Sequence, residues 1–453
     1  MKVKEIVKIT GGKLLSGNLE AEVDLSKIST DSRTIGKGEF FLALSGPNFS
    51  GSDFVDYAFK AGAAGAIAER LTVSEGNSGK VLIQVRDGAR ALADIAERHR
   101  AKFGIPVIGV TGSNGKTTVK DMIAAVLSTR YNVLKNEGTK NNHIGVPQTL
   151  LKLKPEHDIC VLELGTNHRG EIRRLASITK PTIAVITNIG ASHLEFLKDL
   201  EGVYAEKKDI LRSLDRKKGT VVLNGDDPFL SRIKGGKAGV VRYGLKKPNA
   251  FRADIVSTDK DRISFLLNGK EGFELNILGV HNVYNALAAI AVASCFKVEH
   301  GLIRKALAGY RPTQMRLDLV SAGKIEIIND SYNSNPLSMK MAVEAMKSYP
   351  ARARWVVSGD MLELGKSGAL FHRMIGELIA SSGVEGLLTF GELSKHTLSA
   401  AMGAGMDQEN LWHCATHDEI AKILRKVARA GDIVLVKGSR SMKMEKVVEK
   451  LKG

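Results

Sequence analysis

From Pro106 onward, short apolar runs alternate with longer stretches whose apolar positions recur every three or four residues. Val107–Val110, Ile159–Leu164, Thr182–Ile189 and Thr220–Leu223 are apolar or β-branched runs of strand length, bounded by Gly, Pro or Asp. Between the first two, Val119, Met122, Ile123, Val126 and Leu127 fall on one face of a helix. Such alternation predicts a mostly parallel sheet covered on both faces by helices. A second series begins near Lys324, with Ile325–Ile328, Trp355–Val357, Gly386–Phe390 and Ile433–Val436 as its strands. Pro312 and the polar turn at Thr313–Gln314 separate the two series. Residues 1–86 differ, with short strands at Phe40–Leu44 and Val81–Val85 and a Gly/Ala-rich helix; Gly88–Phe103 reads as a connecting helix. The expected class is α/β with three domains, at 1–86, 87–314 and 315–453. Leu-Glu-Leu-Gly occurs at both 162–165 and 362–365, but the flanks do not match, so the coincidence reads as chance rather than a repeat.

Composition narrows the class. Of 453 residues, 43% are hydrophobic and 25% charged, which excludes disordered and collagen-like chains. The most apolar runs, Ala61–Ala68 and Ala286–Phe296, fall short of the ~18 residues of a membrane span, so no stable membrane insertion is expected. Met1–Gly11 lacks the apolar core of a secretory signal. Cys160, Cys295 and Cys414 form neither a CxxC pair nor an even framework, and a reducing, cytoplasmic location is expected. The net charge of +17 is spread without a run of five Lys/Arg, and aromatic residues make up only 5%. A nucleic-acid partner is therefore not expected, and the charge reads as a solvated basic surface suited to a polyanionic small substrate. A monomer is expected.

Candidate chemistry concentrates at predicted strand ends. Val107-Ile-Gly-Val-Thr-Gly-Ser-Asn-Gly-Lys-Thr-Thr118 runs from a buried strand through a loop into a helix. Gly112 and Gly115 let backbone N–H groups converge on phosphate oxygens, and the helix N-terminus adds its partial positive charge. Gly112, Ser113, Asn114, Gly115, Lys116, Thr117 and Thr118 are the candidate nucleotide contacts, with Lys116 on the outer phosphates and the Thr117 hydroxyl on Mg²⁺. Val110 stands where the general Walker pattern has its first Gly, so the signature is the narrower Thr-Gly-x-x-Gly-Lys-Thr-Thr. Glu163 ends an apolar strand and is a candidate metal ligand; His193, at the end of the next, is a candidate for metal or substrate contact. Lys207 and Lys208 read as a solvated helix face on composition alone.

Several segments in fixed order then carry a resemblance: Thr111–Thr118, Glu163–Ile172, Asn188–Glu195, Gly279–Ala288 and Asp330-Ser-Tyr-Asn-Ser-Asn-Pro336, with Thr30-Asp-Ser-Arg33 ahead of them. Together they resemble the Mur ligases, ATP-dependent amide-forming enzymes of peptidoglycan synthesis, over essentially the whole chain. Asn167-His-x-Gly-Glu-Ile and Ser331-Tyr-Asn-x-Asn-Pro resemble most the member that joins D-alanyl-D-alanine to UDP-N-acetylmuramoyl-tripeptide. The resemblance implies a small α/β N-terminal domain for the UDP-sugar, a central P-loop domain for ATP and a Rossmann-like C-terminal domain for the amine. It also implies two Mg²⁺ ions held at Thr117, Glu163, His193 and a carbamylated Lys207, with Lys116 catalytic. Asn282 and Asn285 would contact adenine, Arg316 the ATP and Asp330 the ribose. Asp31, Ser32 and Arg33 would grip the uridine diphosphate, Asn141 and Asn142 lie on the nucleotide-sugar side, and Asn333 and Asn335 near the incoming dipeptide. Two segments depart from the family pattern: Ser50-Gly-Ser52 replaces Asp-Gly-His, and Asn136-Glu-Gly-Thr-Lys-Asn-Asn142 replaces Thr-x-Gly-Asn-x-Asn-Asn.

Overall fold

Burial on both faces is what makes the apolar runs strands. The computed structural model describes residues 1–453 except 74–76, 78, 216, 217 and 235–237. In it Val107–Thr111, Ile159–Glu163 and Ile183–Ile186 are buried along their whole length and pair in parallel. They form the centre of a nine-stranded sheet, in the spatial order 271–275, 262–267, 251–259, 239–244, 220–224, 183–186, 107–111, 159–163 and 133–135. The chain diverges on either side of Val107–Thr111, to 159–163 on one side and 183–186 on the other. Such a divergence opens a crevice at the carboxyl ends of the strands. Helix Lys116–Leu127 turns Val119, Met122, Ile123, Val126 and Leu127 inward as the spacing predicts, against Val283, Ala286 and Leu287 of helix His281–Cys295.

The strands of the central sheet beyond Asn224 escape the sequence reading. The hairpin strands Phe251–Asp259, Arg262–Leu267 and Glu271–Leu275 form an antiparallel extension of the sheet. Residues 255–259 are exposed, so no apolar run marks the far half of the first of these strands.

In the N-terminal sheet the order is 13–16, 81–84, 65–68, 40–42 and 28–29, with only 13–16 antiparallel. The Gly/Ala-rich stretch expected as a helix instead divides into helix Val55–Lys60 and the buried strand Gly65–Ala68. Its small side chains fit between two flanking strands, and the ladder replaces helical hydrogen bonds. Helix Gly88–Arg100 shares one apolar cluster with Val3 and Ile6 on one side and Leu175 and Ile178 on the other. Arg100 Nε also donates to the Thr179 carbonyl at 3.2 Å. The connection is thus a packed joint. The C-terminal sheet runs 318–322, 325–330, 433–437, 354–359, 386–390 and 411–414, parallel after its first pair.

Candidate active site

The loop after Val107–Thr111 is shaped by its neighbour. Ser113 N donates to the Asn188 carbonyl and Asn114 N to Asn188 Oδ1, both at 2.9 Å; Ser113 Oγ bridges to Gly190 at 3.0 Å. Gly112 has φ +144°, and a Cβ there would lie 1.9 Å from Thr187 Oγ1; at Gly115, φ +79°, it would lie 2.5 Å from Asn285 Oδ1. Only glycine permits this path. Lys116 opens the helix and turns its ammonium back onto the Gly112 and Ser113 carbonyls, at 2.9 and 3.1 Å. Burial lowers its pKa, Arg316 adds to the effect, and Glu163 opposes it.

Glu163, 1% exposed, accepts the Thr117 hydroxyl at 2.7 Å on one oxygen and Asn141 Nδ2 at 2.7 Å on the other. Asn136 fixes its backbone, accepting Glu163 N at 2.9 Å; the Lys120 ammonium, buried beneath, holds the Asn136 carbonyl at 2.8 Å. The departure at Asn136 therefore sits under the strand end as a support. Lys120 carried no signal in the sequence. Lys207 is also 1% exposed, and among the described residues its ammonium has no hydrogen bond or ion pair. Burial holds its pKa well below the usual lysine range, and the Lys116 charge adds to this. Neighbouring Glu206 ties down the 166–172 loop, accepting Gly170 N at 2.6 Å and Ile172 N at 2.8 Å. The solvated helix face expected for Lys207 is thus a buried one, because this turn packs under the loop after Glu163.

His193 stands at φ +55°, and its Nδ1 pairs with Glu363 Oε2 of the C-terminal domain at 2.5 Å. Burial lowers the His193 pKa against the pull of Glu363, while the hydrogen bond from His193 lowers that of Glu363. Glu363 was not singled out in the sequence; its Leu-Glu-Leu-Gly context, set aside as chance, was the one available sign.

Glu163, His193, Asn282, Asn285, Arg316, Asp330, Asn333 and Asn335 all line one cleft of 590 Å³ with the phosphate loop. Asn285 Nδ2 donates to Asn282 Oδ1 at 2.8 Å, and Asn282 Nδ2 to the Leu278 carbonyl at 2.8 Å, so both amides are locked against the loop. Arg316 lies over the Tyr332 ring, 4.2 Å from its centroid. Asp330 is paired with the buried Lys437 at 2.5 Å, and Lys437 also holds the Asn333 carbonyl at 2.8 Å. Lys437, Tyr332, Ser439 and Arg440 line the cleft and were missed. Asn335 caps helix Pro336–Lys347 and reaches Asn114 of the phosphate loop.

The N-terminal candidates lie apart from this cleft. Asp31 and Arg33 form a two-pronged surface pair at 2.9 and 2.7 Å, with Ser32 in the turn between them. Thr30 beside them accepts Gln148 Nε2 of the central domain at 2.7 Å. Asn141 reaches Glu163, whereas Asn142 turns its amide oxygen to the start of helix Gly145–Leu150, accepting Ile144 N at 3.1 Å and Gly145 N at 2.9 Å. Ser52 Oγ accepts Arg70 N at 3.1 Å.

Among the described residues no three His, Cys, Asp or Glu side chains could hold a metal by themselves. The buried carboxylate of Glu163 beside a hydroxyl suits a hard cation that also takes phosphate oxygens. No described helix is long and apolar enough to cross a membrane.

Three family profiles match in chain order: the Mur ligase family catalytic domain over 24–100, the Mur ligase middle domain over 110–293 and the Mur ligase glutamate ligase domain over 315–440. The chain is 36% identical to the UDP-N-acetylmuramoyl-tripeptide–D-alanyl-D-alanine ligase of Bacillus subtilis, covering 99% of this chain and 98% of that one. It is 35% identical to the Escherichia coli enzyme of the same name, over 97% and 96%. The crystal structure of MurF from Acinetobacter baumannii superposes with a TM-score of 0.90 at 29% identity, covering 100% and 98%. MurF ligase from Thermotoga maritima in complex with ADP gives 0.84 at 26%, over 95% and 98%. With relatives this similar along their full length, the three-domain α/β chain belongs to the Mur ligase family.

Proposed function

We propose that the protein is an ADP-forming ligase that joins D-alanyl-D-alanine to UDP-N-acetylmuramoyl-tripeptide in peptidoglycan precursor synthesis. One observation carries the reading. The phosphate loop, Glu163 and His193 of the central domain face Asp330–Asn335 of the C-terminal domain across a single cleft, in a chain whose full-length relatives bear that name.

The tripeptide's terminal carboxylate attacks the γ-phosphorus of ATP, ADP leaves, and an acyl phosphate forms. The amine of D-alanyl-D-alanine then attacks the acyl carbon, and phosphate departs as the amide is made. Two anions must meet in the first step, and the chain supplies cationic charge where they do. Lys116 leaves its carbonyl partners for the outer phosphates, and the N–H groups of Gly115 and of the first turn of helix Lys116–Leu127 take the inner ones. Arg316, stacked on Tyr332, adds charge from the C-terminal domain. Mg²⁺, held by Thr117, Glu163, His193 and a carbamylated Lys207, would neutralise the triphosphate further. A buried ammonium without a partner favours conversion of Lys207 to a carbamate: its neutral amine adds to CO₂, loses a proton and becomes an anion.

We assign the domains at 1–86 for the UDP-sugar, 87–314 for ATP and 315–453 for the amine. Asp31, Ser32 and Arg33 are assigned to the uridine diphosphate, Asn141 and Asn142 to the sugar side, and Asn333 and Asn335 to the dipeptide side. Asn282 and Asn285 are assigned to adenine, and Asp330 to the ribose. The enzyme works as a cytoplasmic monomer. Release of ADP and phosphate tests the reading: it requires both the UDP-muramoyl tripeptide and D-alanyl-D-alanine. Turnover with a single amino acid in place of the dipeptide would overturn it.

A further inference from the structure

Segment 361–365 of the C-terminal domain docks on residues 193–195, in the loop that follows strand Ile183–Ile186. Glu363 and Gly365 of that segment both have positive φ, +61° and +55°. It is anchored on each side: Met361 and Leu364 are buried, Met361 N donates to His372 Nε2 at 3.0 Å, and Leu362 N donates to Ser439 Oγ at 2.8 Å. So braced, it docks on the central domain twice. The Glu363 carbonyl accepts Glu195 N at 3.1 Å, and the Glu363 carboxylate meets His193 Nδ1 at 2.5 Å. Among the described residues Nε2 of His193 has no hydrogen-bond partner, and both side chains line the cleft. A carboxylate that accepts from one ring nitrogen fixes the tautomer and orientation of the imidazole, and leaves the other nitrogen as a lone-pair donor.

We propose that Glu363 is the positioning residue of His193, holding the ring in its Nδ1–H form so that Nε2 is presented to a divalent cation at the nucleotide. Because Glu363 belongs to a different domain from His193, the ring is oriented only while the C-terminal domain is seated. The inference builds on the ligase reading, but its first test does not depend on turnover.

The full chain labelled with ¹⁵N-histidine, with the His193 signals assigned by their loss in His193→Gln, reports the tautomer directly. The wild type shows His193 protonated at Nδ1. Glu363→Ala shifts it toward the Nε2–H form that free imidazole prefers. Mn²⁺ binding in the presence of ADP, followed by electron paramagnetic resonance, weakens about 10–100-fold in the same variant. Glu363→Gln keeps an acceptor for Nδ1–H, retains the ring signature and recovers most of the Mn²⁺ affinity. Unchanged ring signals or unchanged Mn²⁺ affinity in Glu363→Ala would overturn the proposal. So would loss of the Nδ1–H form in a folded Glu363→Gln, which keeps the test decisive should the alanine variant fail to fold. A wild type with the Nδ1–H ring and Mn²⁺ binding but no ligase turnover would sink the ligase reading and leave this one standing.

Discussion

Asn335 Nδ2 donates to Asn114 Oδ1 at 2.8 Å, joining the first turn of a C-terminal-domain helix to the tip of the phosphate loop. The other end of the same amide accepts Ser338 N at 2.9 Å and caps helix Pro336–Lys347. Asn335→Asp retains the cap and loses the donor. Its unfolding free energy stays within about 0.5 kcal/mol of wild type, while the KM for ATP rises. Asn335→Ala loses both and costs about 1 kcal/mol in urea unfolding. Equal ATP affinity in the aspartate variant would show that the contact does not reach the nucleotide.

Lys207 is a buried lysine and Lys116 a half-buried one, so each trades stability for chemistry. Lys116→Ala lowers turnover about 10²–10³-fold, as removal of a preorganised charge does, without lowering the melting temperature. Lys207→Met raises the melting temperature and is inactive. Lys207→Ala is crippled and partly rescued by a small added carboxylic acid. Wild-type turnover in Lys207→Ala would remove that lysine from the site.

The Asp330–Lys437 pair has little solvent on the lysine side, which is 2% exposed. Lys437→Met leaves the carboxylate uncompensated and costs about 3–5 kcal/mol in denaturant unfolding. Adding Asp330→Asn recovers much of the loss, since the double variant buries no lone charge. Additive losses would mean that the pair is not coupled.

His281 gives the fold an acid limit. Burial lowers its pKa to about 4, with the nearby Lys437 charge acting the same way and Asp330 opposing both. The unfolded chain takes up a proton near pH ~6.5 that the folded chain refuses until about 4. Stability from this group is intact above ~6.5 and falls as the pH drops toward 4, by up to about 3 kcal/mol. His281→Gln flattens that fall between pH 7 and 4.5 in urea titrations. An unchanged slope would assign acid sensitivity elsewhere.

What the sequence disclosed, and what it withheld, follows from distance along the chain. Residues 111–118 are contiguous, and Glu163 and His193 end or follow strands whose apolar runs are plain, so each is legible in the sequence. Lys437 is adjacent to Asp330 only because Ile325–Asp330 and Ile433–Lys437 are parallel neighbours in register. No local pattern announces a partner 107 residues away. Glu363 illustrates the same limit. It shares a tetrapeptide with Glu163, yet one glutamate ends a strand and the other sits at positive φ in a loop. The two arrive at one cleft by different routes. The resemblance placed Lys207 in the metal site; composition alone would have left it on the surface, where the structure does not put it.

The phosphate loop is wired to residues 187–190 through Ser113, Asn114 and Asn188, by hydrogen bonds the chain makes with itself. Freezing a backbone costs about 1–2 kcal/mol per residue, and here that cost falls on folding rather than on capture of a nucleotide. ATP therefore meets a rigid cradle. Selectivity for its triphosphate resides in fixed geometry, and motion is left to the walls that close over it.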